Sequence, residues 1–261
     1  MTPRVFTIWA ALAVTLTLGL LTFPVAALIL RVPLADLAQR VGSPLVTRAL
    51  WLSLVTSTVA TLLVGVLGLP VAYLLATRSF PGKRGLETLI DLPMVLPPTV
   101  AGVGLLLAFG RSGLVGRFLA PLGITIPFTT VAVILAQAFV AGPFFINAAR
   151  AGLESVEAKY VHAAATLRAP PAYTLLHVQL PLSLPALLAG AAMTWARALG
   201  EFGATITFAG NLPGVTQTMP LAVYIALQTD LEAAITLSVI LLVVSFALLF
   251  TLRAIPARPR A

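Results

Sequence analysis

Long apolar runs separated by short polar intervals organise this chain from end to end. A helix that crosses a bilayer needs about 20 mainly apolar residues. Runs of that length predict spans over about 5–30, 49–77, 88–110, 128–149, 182–207 and 233–252. The first lies between Arg4 and Arg31 and exceeds the ~7–15 residues of a signal-peptide core, with no small-residue cleavage site after it, so a retained helix is expected. Prolines fall inside most runs, at Pro24, Pro70, Pro93, Pro143 and Pro185 among others. Membrane helices tolerate them where neighbours or cavities satisfy the freed carbonyls. The densest cluster, "LPMVLPPTVAG" (92–102), predicts a kinked helix packed closely through Gly102 and Gly104.

Two segments break the alternation. "MPLAVYIALQ" (219–228) is apolar but about ten residues long, too short to span, and is expected to be re-entrant or interfacial on the outer side. The interval 150–181 is the longest polar stretch. Within it, Glu154 to Leu167 reads as a short amphipathic helix, Pro170-Pro171 forces a turn, and the chain returns to the membrane near Pro181. Such a helix can lie on lipid headgroups. Ala163, Ala164 and Ala165 offer little apolar area to lipid but let a partner's surface come close, which favours docking.

Composition removes the soluble alternative. Of 261 residues, 59% are hydrophobic and 9% charged, with a mean hydropathy of +1.04, where a soluble domain carries roughly 25% charged residues. The expected fold class is an all-α integral membrane protein, a single domain over 1–261 of about six transmembrane helices with a cytoplasmic loop at 150–181. The formal charge of +8 is scattered over short loops, which reads as the basic bias of cytoplasmic loops and not as a nucleic-acid surface. With the N-terminus inside, ten Lys and Arg residues (Arg4, Arg78, Lys83, Arg84, Arg150, Lys159, Arg168, Arg253, Arg258, Arg260) fall on the cytoplasmic side. Five (Arg31, Arg40, Arg48, Arg111, Arg117) fall outside, which predicts both termini in the cytoplasm.

Chemistry is sparse. The chain has no cysteine, hence no disulfide framework, thiolate metal site or catalytic thiol. With His162 and His177 its only histidines, a histidine metal centre is not expected either. No nucleophile motif or carboxylate pair lies within a span, so no catalytic residue, metal or cofactor is expected. The nearest approach to the phosphate loop G-x-x-x-x-G-K-[ST] is "TRSFPGKR" (77–84), where Thr77 replaces the first Gly and Arg84 the Ser/Thr. If transport is ATP-driven, another chain hydrolyses the ATP.

One charged pair falls inside an apolar run. In "RALGEFGATITFAG" (197–210), Arg197 and Glu201 stand at i and i+4, on one face of a continuous helix and within pairing reach. Intramembrane charges face a cavity or the bundle interior and mark a route. The pair reads either as a neutralised structural lock or as part of an anion route, with Gly200 and Gly203 letting the helix bend and Thr205 and Thr207 adding weak polar contacts. The route reading is carried forward, with Arg197, Gly200, Glu201, Gly203 and Thr205 as its lining.

These motifs carry a resemblance. "HAAATLRAPPAYTLLHVQLP" (162–181) is similar to the cytoplasmic loop of ABC-importer permeases, marked by Glu-Ala-Ala, a Gly six residues after that Glu, and an Ile-x-Leu-Pro ending. Ala163 and Ala164 match the alanines and Val178 to Pro181 the ending, while His162 stands where Glu is usual and Arg168 where Gly is usual. "RALGEFGATITFAGNLPGVTQTMPLAVY" (197–224) and "DLPMVLPPTVAGVGLLLAFGRSGLVG" (91–116) resemble the molybdate or tungstate branch of the molybdate/sulfate permeases, over roughly residues 45–250. The resemblance implies a type I importer permease in the inner membrane, homodimeric, served by two ATPase subunits and an external oxyanion-binding protein. It makes His162, Ala163, Ala164, Thr166, Leu167, Arg168 and Ala169 the segment coupled to the ATPase. A sulfate or thiosulfate permease is the nearest alternative. An ion-coupled secondary transporter is disfavoured: the halves 1–130 and 131–261 show no repeat, and Glu87, Asp91, Asp230 and Glu232 fall near span ends, where solvation at the interface accounts for them.

Overall fold

A computed structural model describes residues 3–32, 37 and 41–254. Arg40, Arg258 and Arg260, used in the charge count, lie outside the described residues. Among those described, five helices are long and apolar enough to cross a membrane, or six if one bent pair counts as a single span. In chain order the elements are α1 (Pro3–Leu30), α2 (Pro44–Thr77), the bent pair α3 (Lys83–Val95) and α4 (Pro98–Phe109), and α5 (Thr130–Glu154). Then come α6 (Ala158–Thr166), α7 (Leu180–Leu199), α8 (Gly203–Ala209), α9 (Met219–Thr229) and α10 (Leu231–Ala254).

Local chemistry sets the helix limits. The Ser43 side chain accepts the Val46 N–H at 3.4 Å and Pro44 takes the first helical position, so α2 starts five residues before the expected Ala49. Arg48 is therefore helical and does not sit in a loop. Thr129 caps α5 by accepting the Ala132 N–H at 3.3 Å. Asp230 does the same for α10, accepting the Ala233 N–H at 3.0 Å, with Glu232 in the first turn beside the positive end of the helix dipole.

The cluster expected to kink one helix in fact divides it. Pro97 and Pro98 each force the residue before them out of the helical region. Leu96 and Pro97 accordingly take ψ near 133°, and α3 and α4 meet at a bend of 116°. Pro93, isolated, stays within α3. The span expected over 182–207 is also two helices, broken at Gly200–Phe202. At its other end the helix begins earlier: Pro171 starts a turn that passes through a π-helical stretch, Leu175–Gln179, into α7 without returning to coil. The amphipathic helix is shorter than the expected Glu154–Leu167, because Glu154 still belongs to α5 and Ser155 ends that helix.

Small residues let the helices approach, as they do where lipid offers no hydrophobic driving force between spans. A Cβ on Gly190 of α7 would meet the Ala148 Cβ of α5 at 2.7 Å, and one on Gly152 of α5 the Ala186 Cβ of α7 at 2.6 Å. Val64 and Ala72 of α2 pack with Phe145, Ala149 and Leu153 of α5. A second core joins α4, α5 and α8 through Leu105, Val133, Ala136, Ala204 and Phe208. A third seats α9 between α2 and α10, with the Met219 N–H donating to Ser53 Oγ at 2.7 Å. At 11 residues, or about 16 Å, α9 cannot cross a ~30 Å hydrocarbon layer.

Candidate functional site

The break between α7 and α8 is held by one carboxylate. Leu199 is the last residue of α7, Gly200 follows at φ −85° and ψ 5°, and the Glu201 N–H still donates to Ala198 O at 3.1 Å. The Glu201 side chain is 1% exposed. Its Oε2 lies 2.7 Å from Arg197 Nη1, while its Oε1 accepts the Ala204 N–H at 2.9 Å, at the start of α8. A buried carboxylate is tolerable only when paired and hydrogen-bonded. Both conditions are met here, by opposite sides of the break. Arg197 is 31% exposed, so its charge faces partly outward.

The remaining residues of the expected lining divide. Gly203 is required by space, since a Cβ there would meet the Pro98 Cβ at 2.6 Å. Gly200 is exposed, and a Cβ there would make only a 3.7 Å contact with Ala196 O. Thr205 is fully buried and its hydroxyl has no hydrogen-bond partner, while Thr207 donates to its own backbone at Gly203 O, 2.9 Å away. The region is thus a packed joint: α4 lies against α8 where a Cβ on Gly102 would meet the Thr207 Cβ at 2.6 Å and Ala204 O at 2.9 Å. The expectation for Gly104 fails, since within the chain nothing lies within 4 Å of the site its Cβ would take.

The second candidate site is α6 and its flanks. His162, Ala163, Thr166, Leu167 and Arg168 are exposed, Leu167 at 83%. Ala164 is the exception, being buried at 8%, so the exposed face carries Ala163 and Ala165 and not the adjacent pair. Arg168 takes φ 56°, a left-handed conformation that favours Gly, and it lets the Ala169 N–H close on Ala164 O at 3.0 Å before Pro170. At the start of the helix, the hydrogen bond from Lys159 to Glu157, 2.7 Å away, holds the exposed Lys159 ammonium above its usual pKa range.

Side-chain pairing finds a group that sequence reading left to interfacial solvation. Asn147 Nδ2 donates to Asp91 Oδ1 at 2.7 Å. Arg150 Nη1 lies 2.9 Å from Glu87, and Arg150 Nε donates to Glu154 at 2.8 Å. Lys83 donates to Leu75 O at 2.7 Å. Two pairs, each four apart on one helix, carried a local signal, Arg150 with Glu154 and Lys83 with Glu87, the latter 4.0 Å apart; Asp91 and Asn147 are 56 residues apart. Among the described residues no group of three or more His, Asp or Glu side chains is placed to hold a metal ion.

With the geometry in hand, the comparisons are specific. Residues 67–258 match the family described as binding-protein-dependent transport system inner membrane component. The molybdenum transport system permease protein ModB of Mycobacterium tuberculosis is 42% identical over 237 residues, covering 91% of this chain and 90% of that one. The sulfate transport system permease protein CysT of Salmonella typhimurium is 36% identical over 243 residues, covering 92% and 88%. In fold, a chain from the crystal structure of a bacterial ABC transporter that imports the acidic polysaccharide alginate superposes with a TM-score of 0.77 at 16% identity, covering 99% of this chain and 97% of that one. The residues matched by the family model, 67–258, include the α3–α4 pair, α6 and the α7–α8 joint. This chain belongs to the family of binding-protein-dependent transport system inner membrane components.

Proposed function

We propose that the chain is the membrane permease of an ATP-driven importer of a tetrahedral oxyanion, molybdate or tungstate, and that it works as a homodimer with two ATPase subunits and an external oxyanion-binding protein. The observation that carries the choice of oxyanion is the 42% identity to a molybdenum permease over nine-tenths of both chains, against 36% for a sulfate permease. The chain lacks a phosphate loop, so ATP is hydrolysed by a partner. Exposed small and apolar residues on α6 and its flanks, Ala163, Ala165 and Leu167, fit the docking of that partner. The basic bias of the loops supports placing both termini and α6 in the cytoplasm. The Arg197–Glu201 pair acts as the lock of the α7–α8 joint, with the outward part of Arg197 adding positive potential for an anion. The test is ATP hydrolysis by the assembled complex in liposomes. Binding protein loaded with molybdate should stimulate it, and sulfate-loaded protein should stimulate it far less. Stimulation by sulfate alone would transfer the chain to the sulfate branch.

A further inference from the structure

The polar group at the foot of α3 and α5 lies between the two candidate sites and is used by neither. Three residues separate Glu154, the end of α5, from Ala158, the start of α6, and Ser155 binds this connection back by donating to Gly152 O at 2.7 Å. A displacement of α6 is therefore delivered to the foot of α5. There Asn147 and Arg150 reach across to Asp91 and Glu87 of α3, at 2.7 and 2.9 Å. The far end of α3 meets the 116° bend, and beyond it α4 is pressed on α8 through Gly102 and Thr207. Apolar packing on α3 is partial: none of its residues is fully buried, and Leu86, Ile90 and Pro93 are half-buried. Polar pairs thus supply the specific grip between α3 and α5, and a short helix with a hinge at one end moves as a lever.

We propose that Asn147–Asp91 and Arg150–Glu87 form the clutch of the transporter: they make α3 follow α5 when the ATPase moves α6, and so carry that motion through the bend at Leu96–Pro97 to the α4–α8 joint. Asn147 and Arg150 are positioning residues in this scheme. Their role is to act through Asp91 and Glu87 of α3. The inference rests on the reading of the chain as an ATPase-driven permease.

The absence of cysteine allows a unique probe. Thr99→Cys, on the exposed start of α4, is labelled with bimane before assembly with the ATPase, and its fluorescence is followed on adding ATP. Asn147→Asp sets two carboxylates against each other and breaks the grip without changing size. Asp91→Asn/Asn147→Asp rebuilds it with donor and acceptor exchanged. The nucleotide-dependent signal should fall roughly fivefold or more in Asn147→Asp while co-purification and ATP hydrolysis stay within about twofold, and it should return in the double variant, as for directly coupled residues. A signal that survives Asn147→Asp, that falls only in step with assembly, or that the double variant fails to restore overturns the inference, as does a native complex with no nucleotide signal. An intact signal without molybdate uptake would count against the choice of oxyanion and leave the clutch standing.

Discussion

Glu201 lies outside the helix that carries Arg197, yet its Oε2 sits 2.7 Å from Arg197 Nη1 while its Oε1 receives the Ala204 N–H of the next helix. The i, i+4 spacing survives the break because Gly200 and Glu201 continue one further turn of hydrogen bonds past Leu199, to Ala196 O and Ala198 O. Removing the arginine leaves a buried carboxylate uncompensated, a loss of about 3–5 kcal/mol in fully buried pairs. Because Arg197 is 31% exposed, the lower end applies. Arg197→Ala should therefore cut folded yield and lower the thermal midpoint in detergent, and Arg197→Ala/Glu201→Ala should recover much of both. Recovery of full uptake in the double variant would show that Arg197 contributes nothing to the anion's route.

The α4–α8 contact makes a prediction by contrast. Gly102→Ala drives a methyl group into Thr207 and the Ala204 carbonyl, and overpacking of this kind costs about 1–3 kcal/mol. Gly104→Ala, two residues on, meets nothing within 4 Å in the chain. Thermal midpoints should fall for the first and hold for the second. Equal effects would mean that Gly104 is covered by something outside this chain.

On α6 the alanines separate by burial. Ala163→Asp should leave insertion and folded yield normal while weakening retention of the ATPase roughly 100-fold or more, as an uncompensated charge in a tight contact does. Ala164→Asp should lower folded yield as well, because Ala164 is already buried against the chain itself. Arg168→Gly should be tolerated and gain about 1 kcal/mol, since the left-handed φ of 56° strains a residue with a Cβ. Co-purification with the ATPase and thermal midpoints read all three.

Topology is checked on the same cysteine-free background. Impermeant reagents should label Glu157→Cys from the cytoplasmic side and Asn211→Cys from the outer side. Labelling of both from one side would contradict six spans.

Most of the fold was legible because apolar runs of about 20 residues leave few alternatives to a spanning helix. Breaks were harder. A single internal proline such as Pro93 is absorbed within α3, whereas Pro97-Pro98 divides the chain, and the difference lies in two consecutive extended residues and not in proline count. Gly200 and Gly203 marked the α7–α8 joint, but that Glu201 would bind the N-terminus of α8 depends on where α7 stops, which no periodicity sets. The α3–α5 pairs were invisible for a plainer reason: Glu87 and Asp91 find partners on a helix more than 50 residues away, and a lone acid near a span end looks the same whether solvated or paired. For Arg168, the position where the resemblance puts Gly is left-handed in this chain, a conformation that favours Gly.

The central claim is tested most directly by uptake of radiolabelled molybdate into liposomes containing this chain, its ATPase and the external binding protein. The account predicts accumulation that needs ATP inside the compartment bearing the ATPase, stops when the binding protein is omitted, and yields to excess tungstate but not to excess sulfate. Accumulation driven by an ion gradient without the ATPase, or displaced by sulfate in preference to tungstate, would contradict it.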